Sequence, residues 1–149
     1  MISVEINRSK RLLVISAAGH VVEEEIKRAT ERVREMLRPT TPGLRALLDF
    51  RWLDSIHPSA APHIAEMMNA LAQKQAASVI RVIADPGKDI ALNMLSQFRY
   101  SAELPVSTVE TLVEALDRLL EQNAERERQE TREDGERGNI PASDFPSAS

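Results

Sequence analysis

The 149-residue chain contains no cysteine, so disulfide bonds, thiolate nucleophiles and thiolate zinc sites are excluded. Aromatic residues make up only 3% of the sequence, so the core has to be built from aliphatic side chains. No stretch approaches the ~18 uninterrupted apolar residues of a membrane-spanning helix. The first residues, MISVEINRSK, alternate like a strand and lack the apolar core of a signal peptide. We therefore expect a cytoplasmic protein of bacterial type.

An excess of positive charge is also absent. Residues 1–120 contain 15 Lys/Arg and 15 Asp/Glu, whereas residues 121–149 contain 4 and 8, which accounts for the net charge of −4. A nucleic-acid-binding domain usually carries a basic face, so we expect no nucleic-acid partner. Apolar periodicity stops after Leu120. We predict one domain over residues 1–122 and a charged tail over 123–149. The tail can extend the last helix for a few solvated turns, and we expect disorder over about residues 125–149.

The remaining residues alternate between strand and helix patterns. The first two strands, predicted over residues 2–6 and 11–17, form a hairpin, and Gly19 and His20 end the second one. Helices are predicted over residues 22–37, 59–75, 89–98 and 107–120, and further strands over residues 44–50, 78–84 and 102–106. This order predicts an α/β fold: a mixed, mostly parallel sheet of about five strands, with an antiparallel N-terminal edge strand and four helices.

Two helix starts can be located from side-chain chemistry. Pro62 has no N–H to donate and is tolerated only in the first turn of a helix, so we predict Ser59 as the N-cap. Ser107 and Glu110 have the spacing of a capping box, which predicts that the last helix starts there. Pro105 is consistent with an edge strand just before that helix.

Polar residues are concentrated just after the buried strand 44–50. In an open α/β sheet, ligands and partners bind outside the carboxyl ends of the strands, so we expect the functional site at this position. The candidate partner-binding residues are Arg51, Trp52, Asp54, Ser55, His57, Ser59 and His63. An exposed Trp52 would mark a contact surface, because tryptophan is enriched at interface hot spots.

The same residues were weighed as a catalytic or metal site. Two common hydrolase signatures are G-x-S-x-G and H-E-x-x-H, and the sequence contains neither. His57 and His63 are six residues apart across a helix start, which is not a recognised zinc-ligand spacing, and His20 follows another strand. The segment Asp85-Pro86-Gly87-Lys88 lacks the spacing of a phosphate-binding loop. We predict no enzymatic activity, no catalytic residue, no metal and no cofactor.

The order and spacing of the elements resemble those of the STAS family, which includes anti-sigma factor antagonist-like domains and the cytoplasmic ends of anion transporters. The chain also resembles bacterial STAS-like proteins whose fold is related to the CRAL-TRIO lipid-transfer domains. Such proteins commonly open with an MI-x-V-E strand, a turn and a second strand ending near glycine, here Met1–Ile6 and Leu12–Gly19. They often end in a helix like Val109–Leu120. The resemblance covers residues 1–120 and implies a STAS-like fold.

In anti-sigma factor antagonists, the loop after the third strand carries an Asp-Ser-Ser-Gly motif, in which a kinase phosphorylates a serine. Aligning the strand ends places Asp54-Ser55 on this motif, followed by Ile56-His57 instead of Ser-Gly. Aligning the helix starts places His57-Pro58-Ser59-Ala60 on it, and only Ser59 matches. The resemblance leaves Ser59 and Ser55 as the candidates for phosphorylation, and the departures from the motif argue against a phosphorylation switch.

Together these patterns predict a non-enzymatic regulatory or binding domain that contacts a protein partner through the loop and helix start after the third strand. The alternative, which the CRAL-TRIO likeness suggests, is a small-molecule or lipid-binding carrier. Methionines on helical apolar faces would line the cavity of such a carrier, although they are most simply core side chains. The methionines concerned are Met36, Met67, Met68 and Met94.

Overall fold

The computed structural model describes residues 1–83 and 104–138, with side chains up to residue 132. Within these ranges the elements are β1 (Ile2–Asn7), β2 (Leu12–Val21), α1 (Glu23–Leu37), β3 (Arg45–Ile56), a 3-10 turn (Pro58–Ala60), α2 (Ala61–Gln73), β4 (Ser78–Val82), β5 (Val106–Val109) and α3 (Leu112–Gly138). The strands form one sheet in the order β1-β2-β3-β4-β5. β1 pairs antiparallel with β2, and the other neighbouring strands are parallel. The predicted α/β fold with an antiparallel N-terminal edge strand is confirmed.

The described ranges contain three of the four predicted helices. The remaining one, predicted over residues 89–98, lies outside the described residues, as do residue 84 of the fourth predicted strand and residues 102–103 of the fifth. None of the helices described combines the length and the apolar composition that crossing a membrane requires.

The chain divides into two compact units, Met1–Ala115 and Leu116–Ser149. The first unit holds the sheet, α1 and α2, and the second contains α3 from Leu116 onwards. Because α3 continues to Gly138, the helical extension expected beyond Leu120 is present. The boundary at residue 122 stays a prediction, whereas residues 125–138, which were expected to be disordered, belong to α3.

Helices α1 and α2 cover one face of the sheet. Right-handed crossovers from β2 to β3 and from β3 to β4 place their helices on the same side, and α1 and α2 contact each other. α1 buries the stripe that a 3.6-residue period predicts, formed by Ile26, Ala29, Thr30, Val33 and Leu37. α2 buries Met67, Met68 and Leu71. The sheet contributes Val4, Leu13, Ile15, Ala46, Leu48 and Val79 to the same core.

Strand β2 is longer than predicted. It continues past Ala17 to Val21, although Gly19 and His20 were expected to end it. Gly19 has a φ of +69°, a conformation that glycine adopts without a steric penalty. It pairs with Leu53 of β3, and the pairing continues at His20 with a shift in register. Gly19 therefore changes the local register of β2 and does not end the strand.

Strand β3 is also longer, because it continues past Phe50 to Ile56. The apolar pattern ends at Phe50, which made the following residues resemble a loop. Ladder hydrogen bonds use backbone groups that every residue except proline supplies in full, so the strand extends through polar residues as long as β2 lies beside it. Four of the predicted site residues consequently lie on a strand and not in a loop. They are Arg51, Trp52, Asp54 and Ser55.

The prediction that Ser59 caps α2 is wrong. Ser59 lies inside the 3-10 turn Pro58–Ala60, and α2 starts only at Ala61. The residue that caps this turn is His57, whose ring accepts a hydrogen bond from the Ser59 N–H. Pro62 does lie in the first turn of α2, as its chemistry requires. A proline limits how far upstream a helix can start, but it does not select one residue among those just before it.

The last strand and the last helix begin later than predicted. β5 spans Val106–Val109, so Ser107 pairs in the sheet and does not cap a helix. α3 starts directly after Thr111, whose Oγ1 accepts a hydrogen bond of 3.2 Å from the N–H of Glu114. Thr111 and Glu114 repeat the capping-box spacing found at Ser107. The sequence thus offers two helix starts, and the pairing of β5 with β4 selects the second.

Candidate functional site

The pairing between β2 and β3 is interrupted by two β-bulges, and in both the extra residue belongs to β3. At the first, Ser16 pairs with Asp49, and the next paired residues are Ala18 and Trp52. Two steps along β2 correspond to three along β3, which shifts the alternation of inward and outward side chains by one residue. By simple alternation from the buried Leu48, Trp52 would face the core; instead it is 67% exposed.

The second bulge shifts the alternation again. The paired residue after Leu53 is Ser55, which lies opposite His20, so Asp54 is the extra residue. Leu53 is buried and Ile56 packs against the core, whereas Asp54 and Ser55 are exposed. Between the two bulges, the inward and outward positions of the side chains are therefore exchanged relative to the rest of β3. Trp52 is the largest side chain of this segment.

Asp49 and Arg51 form an ion pair just before Trp52. Arg51 Nε donates to Asp49 Oδ1 and Arg51 Nη2 donates to Asp49 Oδ2, each at 2.9 Å. The guanidinium also lies over the Trp52 ring, 5.7 Å from its centroid, which is cation–π geometry. The hydrogen bond from Arg51 holds the pKa of Asp49 below its ordinary value of 3.8, and the same bond raises the pKa of Arg51. Asp49 was not among the predicted site residues, although it is the only acid in the apolar run 44–50.

Across the second bulge, His20 of β2 is bonded to Ser55 of β3. The distance between His20 Nδ1 and Ser55 Oγ is 2.6 Å, and both residues are exposed. This hydrogen bond joins the residue pair before the last one in the ladder, which is Val21 and Ile56, so the Ser55 hydroxyl already has a partner. The neighbouring Asp54 is exposed.

The turn after β3 is organised by His57. The Ser59 N–H donates to His57 Nδ1 at 3.2 Å, and Ser59 Oγ lies 2.7 Å from the same nitrogen. A backbone N–H can only donate, so His57 Nδ1 accepts and carries no proton in this arrangement. The turn is also tied to the sheet, because the His57 N–H donates to the carbonyl oxygen of Val21 at 2.9 Å.

Glu23, the first residue of α1, connects this turn to α2. Its Oε1 lies 3.2 Å from His63 Nε2. The hydrogen bond from His63, and more weakly one from the Ser59 hydroxyl, hold the pKa of Glu23 below its ordinary value of 4.5. His57, Ser59 and His63 are therefore brought together, as the prediction of one site implies. Glu23 was missed, because three glutamates in a first helical turn are already explained by the helix dipole.

The three histidines of the chain occupy separate hydrogen-bonded positions. His20 bonds Ser55, His57 bonds Ser59, and His63 bonds Glu23. Among residues 1–83 and 104–138, no three histidine or acidic side chains are grouped so that they could hold a metal ion. The absence of a metal and of an enzymatic activity both stay predictions.

No family model and no curated protein matches the chain. Several solved structures match the chain. One is an uncharacterised protein of the DUF3478 family from Shewanella loihica PV-4, which has a SpoIIAA-like fold. It is 22% identical, with a TM-score of 0.59, and the match covers 80% of this chain and 92% of that one. The anti-sigma factor antagonist SpoIIAA in its unphosphorylated form is 16% identical, with a TM-score of 0.57, over 80% and 97%. The chain has a STAS-like fold.

A second SpoIIAA structure supports the same conclusion. The Bacillus cell fate determinant SpoIIAA in its phosphorylated form is 16% identical, with a TM-score of 0.58, over 80% of this chain and 99% of that one. All three matched chains are spanned almost entirely. This result confirms the fold implied by the sequence resemblance. At such identities the likeness concerns the fold alone.

Proposed function

We propose that this STAS-like domain is a regulatory protein-interaction module and that its partner binds at the carboxyl end of β3 and the turn that follows. The surface consists of Arg51, Trp52, Asp54, Ser55, His57, Ser59 and His63. Its position agrees with the rule that open α/β sheets bind their partners outside the carboxyl ends of the strands. The solved structures of similar fold include an anti-sigma factor antagonist, a protein whose name describes action on another protein.

The single observation that carries the proposal is the exposure of Trp52. A tryptophan that is 67% exposed leaves a large apolar surface in water, and such residues are frequent energetic anchors of interfaces. Trp52 is placed on a strand and lies beneath Arg51, which Asp49 holds in turn. A side chain that is already fixed loses little conformational freedom on binding, which favours affinity.

The residues that follow Trp52 along the chain carry polar groups, as the rim of an interface does. The pairs His20–Ser55 and His57–Ser59 present polar groups that are already hydrogen-bonded within the domain. A partner would therefore meet an aromatic anchor bordered by ordered polar groups, the arrangement that typifies specific protein interfaces. This comparison favours a macromolecular partner over a small ligand.

Site-specific photo-cross-linking tests the location. A photoreactive phenylalanine analogue would replace Trp52 in one variant and Val106 in another, and both would be irradiated in the cells that produce the protein. Val106 is a matched control because it is also apolar and exposed but lies at the amino end of β5. We expect a discrete cross-linked protein from position 52 and none from position 106. The same product from both positions, or from neither, contradicts the proposal.

The partner identified in this way allows the contact energy to be measured. Trp52→Ala should weaken binding by about 30-fold or more, the loss typical of a hot-spot tryptophan. Val106→Ala should leave the affinity unchanged, and both variants should keep the thermal stability of the parent, because neither side chain belongs to the core. Equal affinities of Trp52→Ala and the parent would rule out Trp52 as the anchor.

Phosphorylation of the surface stays a prediction confined to Ser59 and Ser55. The Ser59 hydroxyl lies between His57 and the Glu23 carboxylate, so a phosphate there would add negative charge beside an acid. The Ser55 hydroxyl is bonded to His20. Incubation with a cognate kinase followed by mass spectrometry of the tryptic peptide is the direct test, and a peptide free of phosphate would end this hypothesis.

The alternative carrier function receives no specific support from the described residues. Two of the methionines proposed to line a cavity, Met67 and Met68, are buried members of the core, and Met36 packs against it. Met94 lies outside the described residues. Methionine commonly fills irregular space between helices and sheets, which is sufficient to explain these three positions.

A further inference from the structure

The loops that enter the parallel strands carry positive charge and no acid. The first residues of β2, β3 and β4 lie opposite one another in the sheet, so the segments that precede them meet at its amino end. These segments are residues 8–11, 38–44 and 74–77, and none of them contains Asp or Glu. Their five cationic side chains form what we call the basic edge: Arg8, Lys10, Arg11, Arg38 and Lys74.

Hydrogen bonds to backbone carbonyl groups hold the three segments together. Lys74 Nζ donates to the carbonyl oxygen of Arg38 at 3.3 Å and to that of Thr40 at 3.0 Å. Arg11 Nη2 donates to the carbonyl oxygen of Thr41 at 3.1 Å. A carbonyl group carries no net charge, so these bonds order the two cations and leave their positive charge in place.

Within residues 1–83 and 104–132, no carboxylate forms an ion pair with the basic edge. The nearest acids along the chain are Glu5 and Glu35, which precede Arg8 and Arg38 by three residues. Helices α1 and α2 also end here, and their C-termini together offset about one positive charge. Even when both glutamates are counted as well, the basic edge keeps an excess of about two positive charges.

We propose that the basic edge is a second protein-interaction surface and that it binds an acidic segment of a partner protein, rich in Asp and Glu. Arg8, Lys10 and Arg38 are exposed and reach such a segment directly. Arginine pairs with a carboxylate through two parallel hydrogen bonds, and lysine adds single ones. Charges within about 8 Å of each other act together at physiological ionic strength, so neighbouring cations reinforce one another.

The composition of the three segments favours a protein partner over a nucleic acid or a membrane. Proteins that bind single strands stack the bases on aromatic side chains, and these segments contain none. Duplex-binding domains carry a strong net positive charge, whereas residues 1–120 are neutral. Attachment to an anionic membrane surface usually adds exposed apolar side chains. The one large aliphatic residue of the three segments is Leu44, which is buried.

The basic edge is independent of the surface proposed around Trp52. It lies at the amino ends of β2, β3 and β4, whereas the other surface lies at the carboxyl end of β3, and the two share no residue. A domain with both surfaces contacts two proteins, or two segments of one protein, from opposite ends of its sheet. Loss of either surface should leave the other intact.

Binding of a defined acidic peptide to the full chain provides the test. The probe is a fluorescent peptide of alternating Glu and Ser, and the control peptide carries Gln in place of Glu. Fluorescence anisotropy should show at least about tenfold tighter binding of the Glu peptide, with an affinity that falls as salt is added. A single-stranded oligonucleotide of equal charge and vesicles of anionic lipid are the competing probes. Equal binding of the two peptides, or tighter binding of either competing probe, overturns the proposal.

Matched charge reversals locate the binding on the domain. Arg8→Glu combined with Arg38→Glu changes the basic edge, and Lys27→Glu combined with Arg28→Glu changes two exposed cations of α1. Both double variants alter the net charge equally. The first should weaken binding of the Glu peptide about tenfold or more, and the second by less than about twofold. Equal losses in the two double variants contradict a site at the basic edge.

A milder variant keeps the test decisive if the charge reversal unfolds the chain, which circular dichroism reports. Arg8→Gln combined with Arg38→Gln removes two charges without introducing repulsion and should give an intermediate loss of affinity. Affinity equal to that of the parent would contradict the proposal. Trp52→Ala should bind the peptide like the parent, so a negative result at the basic edge leaves the proposed function unaffected.

Discussion

The guanidinium of Arg51 lies 5.7 Å from the centroid of the Trp52 ring, and two of its nitrogens donate to Asp49 at 2.9 Å. One arginine thus holds both an aromatic anchor and a half-buried acid in place. The side chain of Asp49 is 14% exposed, so its charge depends strongly on this partner.

Arg51→Ala should lower the free energy of unfolding by about 1–2 kcal/mol, between the values for exposed and for buried ion pairs, because it leaves the Asp49 carboxylate without its partner. Arg51→Lys keeps the charge but cannot form the two parallel hydrogen bonds, so its stability should lie between those of the parent and Arg51→Ala. Urea unfolding measures all three. If Arg51→Lys is as stable as the parent, charge alone explains the interaction and the fork geometry does not matter.

The same pair should give the stability a specific dependence on pH. The pKa of Asp49 is lowered from 3.8 in the folded state, so its contribution is present above 3.8 and is lost as the pH falls through the folded value. The stability difference between the parent and Arg51→Ala should therefore be constant at neutral pH and shrink below pH 3.8. Unfolding curves collected over this range provide the measurement. A difference that persists unchanged at the lowest pH would assign it to packing of the arginine stem.

Gly19→Ala should destabilise the domain through its backbone alone. No atom lies within 4 Å of the position that a Cβ would occupy, so there is no clash, but the φ of +69° is unfavourable for alanine. The expected loss is about 1 kcal/mol. Gly19→Asn should cost less, since asparagine tolerates left-handed backbone better. Thermal unfolding of both variants distinguishes backbone strain from a steric effect, which would instead penalise the larger asparagine more.

Two candidate caps of α3 can be compared directly. Thr111→Ala removes the hydroxyl that accepts the Glu114 N–H and should cost about 1 kcal/mol. Ser107→Ala changes a residue of β5, so its effect should stay within about 0.5 kcal/mol. Chemical denaturation of the two variants is sufficient. The opposite order of stabilities would place the helix start at Ser107, as the sequence pattern first indicated.

The fold was predictable because its signals are local and periodic. The stripe from Ile26 to Leu37 on α1 and the alternation of Ile2, Val4 and Ile6 on β1 each arise from one element and its core-facing side. Element ends were less predictable, because they depend on the neighbour. Ser107 satisfies a capping pattern, yet the adjacent β4 offers it a strand partner, and nothing within four residues of Ser107 reveals that neighbour.

The sequence indicated which polar residues form the candidate site but not their hydrogen-bond partners. The rule that strand ends carry function pointed to residues 51–63, and their role in binding stays a prediction. The acids that organise the cluster lie elsewhere in the chain: Asp49 inside an apolar strand and Glu23 at a helix start. Each had a sufficient local explanation, so no sequence pattern indicated that Glu23 pairs with a histidine 40 residues away.

The two bulges of β3 act together as a pair of compensating phase shifts. Each displaces the alternation by one residue, and two such displacements equal one full period of a strand, so Leu48 and Ile56 point the same way although the residues between them do not. Deleting Asp54, the extra residue of the second bulge, would restore one-to-one pairing with β2 and leave Leu53 and Ile56 on the core side. The exposed Trp52 thus lies in a short segment with a bulge on each side. Outside this segment, the side chains of β3 keep their regular orientation.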